Sequence, residues 1–252
     1  MPFSFGLGFG SMPAMPEWKR GDVSIYYEEH GQGFPVLLLA PGGMRSSIAF
    51  WERAPWNPLT ELRDGFRLIA IDQRNAGRSL APLSADDGWH VYTQDQLALL
   101  DHLEIERCHL LGGCIGSSFA LGLLQAASAR FAAAVLQNPI GLYANRAAFY
   151  ALFDDWAAAL RARDPGLAAL DVSAFRERMY GGDFVFNVSR AFVRNCTTPL
   201  SILCGSDQYH PTPISHELAQ LAPRAELLEG WKERIPDTVA RVGAFLREHT
   251  PA

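Results

Sequence analysis

His109-Leu110-Leu111-Gly112-Gly113-Cys114-Ile115-Gly116-Ser117-Ser118 is the stretch that decides the fold of this 252-residue chain. An apolar run enters two glycines, one reactive side chain follows, and a small-residue segment with helical spacing continues to Ala127. A strand that reverses into a helix within a few residues leaves its central residue strained and projecting outward. Its neighbours must be small, because the start of the helix packs close to the strand. Gly112, Gly113, Gly116 and Ser117 supply that lack of bulk around Cys114. A helix beginning just beyond it turns N–H groups and a partial positive charge toward the sulfur, a field that favours thiolate over thiol. The plain reading of a free cysteine is a small buried hydrophobe. Cys108, Cys196 and Cys204 lack the glycine-lined setting and are read that way.

Working outward, apolar β-type runs alternate with helical stretches, the pattern of a mostly parallel sheet covered by helices. Strands are expected at 23–29, 35–39, 66–71, 109–111, 132–137, 199–204 and 225–229. The run Pro35-Val36-Leu37-Leu38-Leu39 is continuously apolar, as a strand buried on both faces should be. Helices are expected at 60–63, 93–103, 117–127, 215–221 and 236–249. Between 143 and 195 strand patterns give way to Ala- and aromatic-rich helical ones, read as a helical cap inserted over the sheet. The resulting division is an N-terminal arm at 1–20, a core at 21–142 and 196–252, and a cap at 143–195.

Four features in order resemble the α/β-hydrolases: a strand ending in Pro41-Gly42-Gly43, the turn Asp72-x-Arg74-x-x-Gly77-x-Ser79, the elbow at Cys114, and a strand end at Gly205-Ser206-Asp207. The resemblance covers the chain beyond the N-terminal arm and implies an α/β-hydrolase fold with a nucleophile at position 114. A cysteine there departs from the usual serine; in pairing Cys with His and Asp the chain is similar to the dienelactone hydrolases. By the same resemblance the oxyanion donors are the N–H groups of Ile115 and of Gly43 or Met44, and the acid is Asp207. The family's histidine follows the last strand, where this chain reads Leu228-Glu229-Gly230-Trp231-Lys232-Glu233 and has none. His210, just past Asp207 in a loop at the carboxyl edge of the sheet, is the best substitute base. His90 is a further candidate, His249 in the terminal tail is a poor one, and His30, His102, His109 and His216 read as surface or packing residues. Asp72 and Arg74 carry a structural role in the family, tying loops together through charge-assisted hydrogen bonds.

The aromatics Trp51, Phe153 and Trp156 are expected to line an apolar substrate pocket, although at helical spacing they suit a cap core equally well. The bulk numbers exclude other classes. A net charge of -5 without a basic stripe argues against a nucleic-acid partner. The longest apolar runs fall far short of the about 20 residues of a membrane span, and no signal peptide is read at the N-terminus. The four cysteines show neither CxxC nor disulfide spacing, which predicts a reduced, cytoplasmic setting and no metal site. No phosphate loop or dinucleotide fingerprint is present, so no cofactor is expected. A homodimer, if formed, would use the cap or the arm.

The leading expectation is a cysteine-dependent hydrolase or acyl transferase for a small ester, lactone or thioester. The missing terminal-loop histidine keeps open a lyase, isomerase or cyclase on the same scaffold. A ligand-binding module is the third reading, against which the strained elbow speaks.

Overall fold

The computed structural model describes residues 17–251. An eight-stranded sheet runs in the order β1-β2-β4-β3-β5-β6-β7-β8. Its strands are β1 (Glu17–Arg20), β2 (Val23–His30), β3 (Pro35–Leu39), β4 (Arg67–Ile71), β5 (Cys108–Gly113), β6 (Phe131–Gln137), β7 (Leu200–Leu203) and β8 (Ala225–Leu228). β1 and β2 pair antiparallel, as do β2 and β4; from β4 across to β8 every pairing is parallel.

Two cores sit on opposite faces, and β3 shows why its sequence lacks alternation. Leu37 and Leu39 enter one core while Val36 and Leu38 enter the other, the two-residue period of a strand covered on both sides. Helices α2 (Trp89–His102), α3 (Ile115–Ala127) and α7 (Thr212–Leu221) contribute Leu99, Phe119 and Leu218 to the first core. Helix α8 (Ile235–Glu248) contributes Val242, Phe245 and Leu246 to the second, and the short α1 (Pro58–Glu61) lies earlier in the chain. Between β6 and β7 come α4 (Arg146–Arg163), α5 (Ser173–Tyr180) and α6 (Arg190–Asn195). Phe153, Trp156 and Phe175 pack edge-on among them, with ring centroids 5.0 to 5.8 Å apart.

The expected arm at 1–20 needs correction at its end. Residues 1–16 lie outside the described residues, but Glu17–Arg20 form β1. Gly21, at φ 57°, heads the tight loop to β2, and Trp18 gains cover by packing on the core. A four-residue polar strand of this kind has no apolar period to betray it.

Asp72 acts as the loop tie that the sequence indicated. Its carboxylate accepts the N–H of Ile48 at 2.7 Å and of Arg78 at 2.8 Å. Arg74, also buried, donates to Asp95 at 2.7 Å.

The elbow is held by contact rather than by hydrogen bonds alone. A Cβ on Gly116 would stand 1.9 Å from the Leu39 carbonyl oxygen, and one on Gly112 would stand 2.1 Å from that of Gly116. Both glycines are obligatory, since neither contact involves a flexible side chain. We expect Gly116→Ala to destabilise the protein by about 3 kcal/mol or more, read as a lowered urea midpoint. Gly122→Ala, later in α3 where only the side chains of Asn187 and Thr93 are close, should stay within about 1 kcal/mol of wild type. Equal midpoints would show that the strand–helix approach is not tight.

Candidate active site

Cys114 sits between β5 and α3 at φ 57°, ψ -120°, a region that costs a residue with a Cβ about 1–3 kcal/mol. The turn is held from both sides: the Cys114 N–H donates to the Gln137 carbonyl at 2.9 Å, and its carbonyl accepts from Ser117 N–H at 3.0 Å. So constrained, the side chain leaves the strand end and enters a cavity of about 330 Å³.

His210 comes to this cavity from the loop after β7. Gly205 makes that loop possible, because a Cβ there would stand 2.3 Å from the His210 carbonyl oxygen. The loop closes on itself through paired backbone bonds between Asp207 and His210. The Asp207 carboxylate accepts from Tyr209 N–H at 2.9 Å and from His210 N–H at 3.1 Å. It also meets His210 Nδ1 at 2.8 Å from each oxygen. From the far side the Asn145 amide donates to the Gln208 carbonyl at 2.6 Å, tying the loop to the start of α4.

With Nδ1 committed to Asp207, Nε2 is buried without a hydrogen-bond partner, and the ring lies close enough to the Cys114 sulfur for the two to influence each other. Burial is the largest influence on both groups and disfavours charge on each. The attraction between sulfur and imidazole, with Asp207 behind the ring, outweighs it. The Cys114 thiol is therefore held below its ordinary value, helped by the N–H groups of Ile115 and Gly42. The His210 imidazole is pushed up to about 9. Burial alone would move both the other way, so a thiolate–imidazolium pair is the form the geometry favours.

A match to the alpha/beta hydrolase fold family runs over residues 35–201, well over half of the chain. The chain belongs to that family. Among curated relatives, a protein of Variovorax paradoxus provisionally named carbamate hydrolase RutD is 37% identical over 116 residues, which is 46% of this chain and 42% of that one. The 2-hydroxy-6-oxo-6-phenylhexa-2,4-dienoate hydrolase of Comamonas testosteroni is 29% identical over 129 residues, 51% of this chain and 44% of that protein. The matched stretch thus spans less than half the length of these relatives. Among solved structures, the meta-cleavage product hydrolase CumD of Pseudomonas fluorescens superposes with a TM-score of 0.70 at 22% identity, covering 90% of this chain and 96% of that one. The enol-lactonase of Burkholderia xenovorans gives 0.65 at 20% identity, covering 92% and 100%. At these identities the structural likeness concerns the fold.

The residues singled out in the sequence fall into two groups. Cys114, Ile115, Gly43, Met44 and His210 all line the one cavity, with Asp207 behind His210. Gly42 was missed: its N–H reaches the sulfur, and its φ of 121° with Phe50 against it reserves the place for glycine. His90, the other candidate base, is exposed on the first turn of α2 and does not line the cavity.

Trp51, Phe153 and Trp156 are corrected. Trp51 is fully buried in the second core, beneath the elbow against Gly113; its neighbour Phe50 lines the cavity instead. Phe153 and Trp156 pack into the first core. The aromatic and aliphatic wall is made by Ile140, Phe149, Leu152, Tyr180 and Tyr209. Phe149 and Leu152 share the apolar stripe of α4 with Phe153 and Trp156, and a stripe does not reveal which of its members meets a void.

Alkylation of Cys114 by iodoacetamide, followed by mass, should proceed at a pH well below the free-thiol value of about 8.5. His210→Ala removes the attraction and leaves the burial, so the thiol titrates upward. The rate at neutral pH should then fall about tenfold or more. Profiles that coincide for the two proteins would refute the ion pair.

Proposed function

We propose that this protein is a cysteine-dependent hydrolase or acyl transferase for a small, largely apolar ester, lactone or thioester. The observation that carries this reading is the meeting of the Cys114 sulfur and the His210 ring on the wall of an apolar cavity, with the Asp207 carboxylate behind the ring. Family membership supports hydrolysis in general. So do the names of its relatives, which include a carbamate hydrolase, a meta-cleavage product hydrolase and an enol-lactonase.

In the proposed cycle the Cys114 thiolate attacks the acyl carbon. The negative charge that develops on the carbonyl oxygen is received by N–H groups of Ile115 and of the turn at Gly42, Gly43 and Met44. His210, protonated while paired with the thiolate, gives its Nε2 proton to the leaving oxygen or sulfur and becomes neutral. Asp207 holds Nδ1 and so fixes which nitrogen does this work. A water or an acceptor alcohol then enters, His210 takes its proton, and its oxygen bonds the acyl carbon as the C–S bond breaks, releasing the acid or new ester and restoring the thiolate–imidazolium pair. Deacylation requires a base beside the sulfur, and the loop after β7 supplies one where the loop after β8 does not. That arrangement supports hydrolysis or acyl transfer over the alternative of a lyase, isomerase or cyclase.

The substrate class follows from the wall. A cavity of about 330 Å³ is at the small end for organic ligands, and its lining is chiefly Phe50, Ile140, Phe149, Leu152 and the faces of Tyr180 and Tyr209. Arg45 is the one charged side chain there besides the Cys114–His210 pair.

Reaction with p-nitrophenyl butyrate should leave one butyryl group on Cys114, seen by intact mass and peptide mapping. Cys114→Ala should abolish turnover, and His210→Ala should lower kcat/KM by about 100-fold to 10,000-fold. Turnover that survives Cys114→Ala, with no acyl adduct in the wild type, would exclude the mechanism.

A further inference from the structure

We propose that Cys204, His216 and Glu229 form a zinc(II) site, distinct from the Cys114 cavity, with a fourth position open to solvent. Three elements that are separate in sequence meet here. Cys204 directly follows β7, His216 lies on α7, and Glu229 directly follows β8. One ligand atom from each of the three lies within 4.8 Å of the others.

The donor set is that of zinc rather than of a hard cation, since thiolate and imidazole together select a borderline-soft ion. Zinc ligand distances of about 2.0–2.3 Å put tetrahedral donors roughly 3.3–3.8 Å apart, inside the spacing found. His216 Nε2 now meets Glu229 Oε1 at 2.7 Å, so this pair must open by under about 1 Å to admit the ion between them. Cys204 Sγ donates only a long bond, 3.4 Å, to its neighbour's carbonyl. The thiol proton leaves to solvent as the Zn–S bond forms.

Surroundings suit a bound ion. Cys204 is buried, His216 is half-buried and Glu229 is exposed, so the ion has an entry path. A second cavity of about 300 Å³ opens beside Cys204 and Glu229, which leaves room for a water on the fourth position. The Cys204 backbone is fixed on both sides: its N–H donates to Leu228 O at 2.9 Å, and its carbonyl accepts Trp231 Nε1 at 2.9 Å. Zinc here would clasp β7, α7 and β8 at the root of the loop that carries Asp207 and His210.

The test uses the full chain in a Cys114→Ala/His210→Ala background, because that thiol–imidazole pair would itself take zinc. Titration with Zn²⁺ by calorimetry should show one equivalent bound. Co²⁺ in its place should give a thiolate-to-metal charge-transfer band. Adding Cys204→Ser should abolish the band, and adding His216→Gln, on the outer side of α7, should weaken Zn²⁺ binding by at least about 100-fold. Circular dichroism checks that each variant is folded. No zinc uptake by the background protein, or uptake indifferent to His216→Gln, would overturn the proposal. Neither outcome bears on the role of Cys114.

Discussion

The site depends first on a steric contact, the approach of the start of α3 to the end of β3. Gly116 lies so close to the Leu39 carbonyl that no side chain fits between them. That approach drives the turn at Cys114 into its left-handed conformation and aims the sulfur off the end of the sheet. It also brings the Ile115 N–H and the Gly42 turn, which follows β3, to the same side of the sulfur. The strain at Cys114 is borne by two well-covered cores, a large reserve against a cost of about 1–3 kcal/mol.

Electrostatics complete what sterics begin. Cys114 and His210 are both buried enough that desolvation, taken alone, would leave each neutral. Each group is drawn toward its charged form by the other, and Asp207 adds to the balance from behind the ring. Acid and base sit together in one turn, three residues apart, so their mutual geometry is local and is set by the loop that Gly205 permits. Only the meeting of that turn with Cys114 depends on the long-range fold. The loop after the last strand holds no histidine, and the loop after β7 brings one to the cavity instead.

How much of this was legible in the sequence can be judged from particular residues. The strands of the parallel sheet were visible because burial on both faces makes continuous apolar runs, as at Val36–Leu39. The elbow was visible because glycine is the residue that such crowding demands. β1 was not, because an edge strand covered on one side by a single tryptophan has no pattern. The pocket wall was misassigned at Trp51, where adjacent residues point to opposite sides of a turn and Phe50 has the cavity. It was misassigned again on α4, whose stripe serves both a core and a void. The Gly42 N–H toward the sulfur was not foreseen, because backbone N–H direction depends on φ and ψ, which a residue name constrains only loosely.

By itself the sequence determined the fold, the cysteine at the elbow, and the presence of a histidine and an aspartate close together in one loop. These rest on short-range rules: period, glycine placement and near neighbours in the chain. Tertiary structure alone decided that His210 and not His90 faces the sulfur, and which aromatics surround the cavity. It alone gathered Cys204, His216 and Glu229, which no spacing motif connects. The physical reason is the same in each case. Which side chains meet across a sheet edge is set by the packing of elements remote in sequence, and a linear pattern carries no record of that distance.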